Sequence, residues 1–174
     1  SAKALRTIQQ NDLPKIDTKK RVLGVIRPTS EVIGRYSKTG HVGVLGTTGT
    51  VQSESYLIEI EKFFPDLKVK QEACPEWVGL VERNECETPL ADELVKLHID
   101  RILSNDKDID TLLLACTHYP LLLNTIRKHV PSEMQLISQG QIVAESLVDY
   151  LARHPEMEQR CSKEGTVSFY TTGD

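Results

Sequence analysis

The sequence contains few cysteines, few aromatic side chains and no long apolar run. It has four cysteines and 5% aromatic residues in 174 positions. This cysteine content, without any C-x-x-C pair, excludes a disulfide-stapled secreted domain and a cysteine-based zinc site. A membrane-spanning helix needs about 20 consecutive apolar residues, so we expect no membrane span. The first ten residues lack the apolar core of a signal peptide, and we therefore predict a cytoplasmic chain with free thiols.

Strong positive charge is also missing. The 21 basic residues are outnumbered by 25 acidic ones, which gives a formal net charge of -4. Proteins that grip nucleic acid without sequence preference carry basic patches. The sequence therefore argues against a nucleic-acid partner.

Short β-type runs alternate with helical periodicity along the chain. The predicted strands are residues 22–26, 41–45, 68–73, 111–116, 134–138 and 166–171. The predicted helices are residues 30–37, 51–64, 76–83, 90–104, 120–129 and 142–153. This alternation predicts an α/β fold in which helices flank a mostly parallel sheet. The strand 111–116 is apolar on both faces, which places it in the middle of the sheet. In open α/β sheets, ligands bind at the carboxyl ends of such strands.

Cys116 and His118 follow this central strand and form the strongest candidate site. We expect a helix to begin near Pro120, and its positive dipole end would favour the reactive thiolate of Cys116. His118 can act there as an acid, a base or an orienting donor, and Thr117 offers a hydroxyl and an N–H group. The alternative is that Cys116 is an inert buried thiol and His118 an ordinary loop histidine.

Two weaker motifs accompany the first. In the stretch Gly43–Thr50, glycines would let the backbone approach a ligand, and Thr47 and Thr50 lie where a helix begins, which suits an anion. The alternative is a tight turn with Thr47 as helix cap. Glu82 lies in the short helix predicted over 76–83 and can point into a cleft or lie on the helix surface. For Cys74, which lies in the same stretch of the chain, the interpretation as a buried thiol of the core is a strong one.

Four segments taken together resemble the glutamate racemase family, a branch of the aspartate/glutamate racemase superfamily. They are GVLGTTGTVQSESY (43–56), ACPEWVGLVE (73–82), LLLACTHYPLL (112–122) and FYTTGD (169–174). The Cys-Thr-His-Tyr-Pro motif is the specific part, since aspartate-type relatives have glutamate at the position of His118. The resemblance extends over the whole chain.

The resemblance implies a racemase that interconverts L- and D-glutamate with two bases, without pyridoxal phosphate, flavin or metal. Cys116 would be the second catalytic cysteine, His118 its assisting acid or base, and Glu82 a further ionisable catalytic residue. Thr47, Thr50, Thr117 and His118 would bind the substrate. D-Glutamate made in this way would supply bacterial cell-wall peptidoglycan, and a homodimer is compatible with the family.

The resemblance also implies two α/β domains with the active site between them, the first of them incomplete in this chain. Residues 22–138 would form the second domain, and residues 1–21 and 139–174 would belong to the first. The motif with the first catalytic cysteine is missing, so we expect this chain alone to be inactive. Apolar side chains that the absent part would cover should be exposed. They are Leu5, Ile8, Ile142, Leu147 and Leu151.

Two other interpretations stay open. The chain can belong to a related racemase or isomerase with another acidic or hydantoin-type substrate. It can also be a non-catalytic ligand-binding module in which Cys116 is inert. Thiol reactivity separates the second of these from an enzyme, because a catalytic cysteine is alkylated selectively.

Overall fold

A four-stranded parallel sheet forms the centre of the structure, a computed structural model that describes residues 2–170. The strands are β1 (His41–Gly46), β2 (Lys68–Ala73), β3 (Thr111–Leu114) and β4 (Gln135–Ser138). Their order in the sheet is β2-β1-β3-β4. The predicted α/β fold with a parallel sheet is confirmed.

Ten α-helices lie between and around these strands in the described part of the chain. They are α1 (Ala2–Thr7), α2 (Leu13–Ile16), α3 (Ile26–Ser30), α4 (Thr48–Gln52), α5 (Ser55–Glu61), α6 (Glu76–Glu82), α7 (Pro89–Asn105), α8 (Leu123–Arg127), α9 (Gln139–Arg153) and α10 (Pro155–Glu158). A π-helical segment spans Ile8–Asp12, and 3-10 turns span Ile33–Arg35 and Tyr119–Leu122. No helix among residues 2–170 has the length and apolar character needed to cross a membrane.

Alternate side chains of the inner strands feed two separate apolar layers. On β3, Leu112 and Leu114 pack in the layer formed mainly with α6, α7 and α8, and Leu113 packs in the opposite layer with α5 and α9. All four residues of β3 are buried. The prediction of a central strand that is apolar on both faces is therefore confirmed.

The predicted strand at residues 22–26 is wrong. Residues 22–25 have no regular structure, and α3 begins at Ile26. Leu23 and Val25 are about half exposed, at 50% and 51%. Apolar composition predicted burial in a sheet, but the segment instead contacts α1, where the side chain of Leu5 lies against the Cα of Gly24.

The predicted strand at residues 166–171 is also wrong for the residues that the structure describes. Residues 166–170 form no regular element, and the side chains of Phe169 and Tyr170 are more than 90% exposed. Residue 171 and the rest of the FYTTGD motif lie outside the described residues.

Several predicted helices have other boundaries in the structure, and two of them, both before β2, differ most. The helix expected over 51–64 is divided into α4 and α5, because Glu54 adopts a left-handed conformation with φ of 51°. The helix expected over 30–37 is displaced to Ile26–Ser30, and only a 3-10 turn at Ile33–Arg35 follows. Periodicity located the apolar faces but not the breaks between helices.

The apolar side chains expected to be exposed divide into three groups. Ile8 and Leu147 are exposed, at 39% and 44%, as predicted. Ile142 is buried in the apolar layer beside α5, so the prediction is wrong for this residue. Leu5 and Leu151 are half-buried. Helix α9 therefore packs on this sheet through its first turn and exposes apolar side chains further along, including Val148 at 69%.

Candidate active site

Chain segments that leave the four strands meet at the carboxyl edge of the sheet. Thr47 follows β1, Cys74 follows β2, and Cys116 lies two residues beyond Leu114, the last residue of β3. Because all strands are parallel, these positions lie on one side of the sheet. The structure thus brings the sequence-predicted Cys116 to the edge where ligands bind in this class of fold.

Cys116, His118 and Glu82 form a line of three reactive side chains. The Sγ atom of Cys116 is 3.9 Å from Nδ1 of His118, and Nε2 of His118 is 2.5 Å from Oε1 of Glu82. Cys116 is half-buried, and the side chains of His118 and Glu82 are 31% and 66% exposed. Glu82 is the last residue of α6, which carries its carboxylate across to the turn after β3.

This line can move a proton. When Nε2–H donates to the carboxylate of Glu82, Nδ1 is free to accept the proton of the Cys116 thiol. The carboxylate then stabilises the imidazolium that results. A thiol, an imidazole and a carboxylate in this order form an activated nucleophile or base.

The expected effect of a helix dipole on Cys116 is not supported. The segment after His118 is a 3-10 turn, Tyr119–Leu122, and α8 begins only at Leu123 and spans five residues. A dipole acts mainly within the first turn of a helix. His118 is therefore the group that can activate the thiol, through direct contact.

Tyr119 anchors the turn that carries Cys116 and His118. Its side chain is fully buried, and its hydroxyl donates a hydrogen bond to the backbone carbonyl of Cys74 at 2.8 Å. Burial raises the pKa of Tyr119 above its usual range, which keeps the hydroxyl protonated as a donor. Nothing in the sequence motif distinguished this anchoring role.

Thr47 and Thr50 lie together at the start of α4. Thr47 is the cap of this helix, since its Oγ1 accepts the backbone N–H of Thr50 at 3.3 Å, and the two hydroxyls are 3.0 Å apart. The capping alternative is thus realised. Thr117 is exposed on the turn between Cys116 and His118. Substrate binding by these three threonines stays a prediction.

Gly43 has a packing role. A Cβ atom at this position would lie 2.4 Å from Leu112 Cδ2 and 2.8 Å from Ile102 Cδ1. Packing alone therefore explains why position 43 is a glycine, without an approach of the backbone to a ligand. At Gly49, by contrast, an added Cβ atom would meet nothing within 4 Å.

The other three cysteines differ in their surroundings. Cys74 is fully buried, and burial, with a smaller effect of the nearby Glu72 and Glu76 carboxylates, raises the pKa of its thiol above the usual range. The core-thiol alternative for Cys74 is thus the one realised. Cys86 is half-buried and Cys161 is exposed.

Sequence reasoning missed Gln139, the first residue of α9. Its Nε2 donates to the carbonyl of Leu114 at 3.2 Å, and its Oε1 accepts the hydroxyl of Tyr56 at 2.8 Å. It therefore ties the end of β3, two residues before Cys116, to α5 and α9. A polar side chain directly after a predicted strand was the available signal.

One group in the described part of the chain has a geometry suited to a metal ion. Ligand atoms of His41, Asp106 and Asp108 lie within 4.8 Å of one another. The His41 imidazole is already hydrogen-bonded to the Asp106 carboxylate at 2.8 Å. His41 begins β1, so this group lies at the amino edge of the sheet, opposite Cys116.

Comparisons with known proteins give a consistent picture. A family model described as Asp/Glu/Hydantoin racemase matches residues 3–147. A glutamate racemase of Oceanobacillus iheyensis is 37% identical over 166 residues, which are 95% of this chain and 57% of that protein. One from Persephonella marina is 46% identical over 123 residues, which are 71% of this chain and 46% of that protein.

The solved structures agree with these sequence matches. A glutamate racemase isoform from Bacillus anthracis superposes with a TM-score of 0.73 at 32% identity, over 84% of this chain and 55% of that one. The chain thus spans between about half and three fifths of the length of these relatives.

Proposed function

We propose, because this chain belongs to the Asp/Glu/hydantoin racemase family, that the complete protein interconverts L- and D-glutamate by proton transfer at Cα. The observation that carries the proposal is the line formed by Cys116, His118 and Glu82 at the carboxyl edge of the sheet. Relatives named glutamate racemase, matched over most of this chain, support the choice of substrate.

The proposed reaction exchanges one proton on each face of the substrate carbon. The Cys116 thiolate removes the Cα proton from one face, and the electron pair left on Cα is delocalised into the α-carboxylate. A second base delivers a proton to the opposite face, which inverts the centre. His118 takes the Cys116 proton beforehand, and Glu82 stabilises the charged imidazole. Thiols suffice for these steps, so the proposal includes no pyridoxal phosphate, flavin or metal.

Hydrogen-bond donors must balance the negative charge that develops on the substrate carboxylate. We assign this role to the exposed hydroxyl and N–H of Thr117 and to the start of α4, where Thr47 and Thr50 lie. His118 stands beside Thr117 and completes the set of side chains proposed to contact the substrate.

The second base belongs, in this proposal, to a part of the protein outside this chain. Residues 22–138 form the second domain, and residues 1–21 and 139–174 pack with the remainder of the first. The 57% coverage of the Oceanobacillus iheyensis relative supports the existence of that remainder. The exposure of Glu82 on the rim, and of Leu147 and Val148 on α9, supports its position.

The cellular role follows from the product. D-Glutamate is a building block of peptidoglycan, and we propose that the enzyme supplies it in the cytoplasm. A homodimer is compatible with this role.

The proposal is tested by racemisation and by solvent exchange in the full-length protein. We expect Cys116→Ser to abolish racemisation in both directions, because a hydroxyl is too weak a base at neutral pH. Deuterium incorporation at Cα from one enantiomer should survive, since the opposite base remains. Cys161→Ser, which changes an exposed thiol, is the matched control. Full turnover by Cys116→Ser would overturn the proposal.

The choice of glutamate over other acidic substrates has its own test. The resemblance on which the assignment rests places histidine at position 118 in glutamate enzymes and glutamate in aspartate-type enzymes. We expect His118→Glu in the full-length protein to damage glutamate turnover. An enzyme for another acidic substrate would tolerate this change.

A further inference from the structure

His98 lies between two carboxylates below the candidate site. Its Nδ1 is 2.7 Å from Oε1 of Glu72, and its Nε2 is 3.0 Å from Oε2 of Glu76. The ring is 2% exposed, whereas the Glu72 and Glu76 side chains are 15% and 47% exposed. His98 belongs to α7, Glu72 to the end of β2 and Glu76 to the start of α6, so the three side chains join three elements.

Both ring nitrogens of His98 thus have a carboxylate oxygen within hydrogen-bonding distance. Hydrogen bonds in which the acceptor is a carboxylate are among the stronger ones in proteins. Burial alone would raise the pKa of Glu76, but the hydrogen bond from His98, the backbone N–H of Glu76 and the nearby charges of His98 and Arg101 together lower it below its usual value. Arg101, 3.8 Å from Glu72, is the further charged group at this cluster.

The two carboxylates flank the segment that supports the reactive turn. Cys74 lies between Glu72 and Glu76, and its carbonyl accepts the hydroxyl of Tyr119 at 2.8 Å. Tyr119 directly follows His118 in the chain. The position of the Cys74 carbonyl therefore determines where the turn from Cys116 to Tyr119 is held.

Trp77 completes this connection by packing. Its ring centroid lies 6.0 Å from that of His98 and 4.9 Å from that of Tyr119, both in edge-on geometry. Trp77 and Tyr119 are fully buried, so a shift of one ring must displace the other.

Helix α6 provides a second connection. Its first residue, Glu76, is held by His98, and its last residue, Glu82, holds the imidazole of His118. The seven-residue helix thus has one end fixed in the cluster below the site and the other end in the site itself.

We propose that His98 is a positioning residue: it bridges Glu72 and Glu76, and through Tyr119 and α6 it fixes the geometry of Cys116 and His118. This inference rests on the proposed function, in which Cys116 is the reacting thiol. Loss of the His98 side chain would release Glu76, and with it the start of α6, and lower the reactivity of Cys116.

The position of α6 relative to His98 can be followed through Trp77, the single tryptophan of the chain. Its ring is fully buried and packs edge-on against the rings of His98 and Tyr119. We expect His98→Gln and Glu76→Gln to shift the wavelength of its emission maximum, because loss of the contact between His98 and Glu76 changes the surroundings of the indole.

The positioning role is measured on the same proteins as the alkylation rate of Cys116 by iodoacetamide, resolved by mass spectrometry. We expect His98→Gln to lower this rate at neutral pH by roughly fivefold, the usual size of an indirect coupling. His129→Gln is the control, since His129 is half-buried and pairs with a single carboxylate, that of Asp92, away from the cluster around His98. It should leave both readouts unchanged.

The outcomes separate the two proposals. Emission maxima that are the same in wild type, His98→Gln and Glu76→Gln would overturn the connection between His98 and α6. A reactive Cys116 whose alkylation rate is the same in these three proteins would overturn the positioning role. If Cys116 of the wild type is as unreactive as Cys74, the proposed function fails, and the positioning role fails with it, although the difference in emission remains. Should His98→Gln fail to fold, Glu76→Gln still decides both points.

Discussion

His118 and Glu82, which are 36 residues apart in the chain, meet with Nε2 and Oε1 at 2.5 Å. The contact joins the end of α6 to the turn that follows β3. It orients the imidazole so that Nδ1 faces the thiol of Cys116. The carboxylate thereby determines which ring nitrogen carries the proton and which one accepts it.

Glu82→Gln tests this orienting role. The amide keeps the size of the side chain but removes the negative charge that stabilises the imidazolium. We expect the alkylation rate of Cys116, and racemisation by the full-length protein, to fall by about tenfold to a hundredfold, as when other orienting carboxylates are replaced.

Glu85→Gln is the control for this change. Glu85 lies close to Glu82 in the chain, but its carboxylate accepts from Arg83. If the rates of Cys116 alkylation and of racemisation fall equally in Glu82→Gln and Glu85→Gln, the cause is the general loss of negative charge. The contact between Glu82 and His118 would then have no specific role.

Tyr119→Phe tests the anchor of the reactive turn. The change removes the hydrogen bond to the carbonyl of Cys74 and leaves the ring in place. We expect the free energy of unfolding in urea to fall by about 1 to 1.5 kcal/mol, the value of one hydrogen bond. Tyr36→Phe, at a tyrosine that is 38% exposed, should change it by much less. Equal losses in the two variants would contradict the anchoring role.

The central sheet could be predicted because its signals are local. The strand at Lys68–Ala73 was predicted with the observed boundaries, and the continuous apolar run from Thr111 correctly placed β3 in the centre. The segment 22–26 has similar composition but forms no strand, since composition indicates a need for burial and not the surface that supplies it.

The connections within the site could not be predicted in the same way. Cys116 and His118 are neighbours in the chain, so their association follows from the motif. The partner of His118 is Glu82, and that of His98 is a pair of carboxylates on other elements. Such contacts depend on how helices pack on the sheet, for which a single sequence carries no local signal.

Asp110→Asn tests a carboxylate at the opposite edge of the sheet. Asp110 accepts hydrogen bonds from the hydroxyls of Ser37 and Thr111 and from the backbone N–H groups of Lys38 and Thr39. Burial alone would raise the pKa of Asp110, but these donors, led by Ser37, lower it below the usual range. An amide would turn N–H donors toward backbone N–H groups. We expect Asp110→Asn to lower the free energy of unfolding by about 1 to 3 kcal/mol at neutral pH.

The contribution of Asp110 to the free energy of unfolding depends on pH, and the direction of this dependence follows from its lowered pKa. Because the folded pKa of Asp110 is below its unfolded value of about 3.9, the carboxylate stabilises the protein above about pH 4. This contribution is lost as the pH falls through the folded pKa. Urea unfolding at several pH values should show the difference between wild type and Asp110→Asn shrinking in acid. Asp66→Asn, at an exposed site, is the control, and a difference that is constant down to acid would contradict the assignment.

Gly43→Ala and Gly49→Ala form a pair with opposite expected effects. At Gly43 the added methyl would press against Leu112 and Ile102, which are both fully buried and have no room to move. We expect this overpacking to lower the free energy of unfolding by about 1 to 3 kcal/mol. At Gly49 the methyl meets nothing within 4 Å, and alanine should stabilise α4 by about 0.4 to 1 kcal/mol through a less flexible unfolded chain.

Thermal unfolding of the two variants distinguishes packing from ligand approach as the reason for Gly43. A role in packing predicts a lower Tm for Gly43→Ala and an unchanged or higher Tm for Gly49→Ala. If Gly43 were required for a ligand to approach the backbone, Gly43→Ala would unfold like wild type, and in the full-length protein its KM for glutamate would rise. Because Leu112 belongs to the central strand that leads to Cys116, we expect the packing defect also to slow alkylation of that thiol.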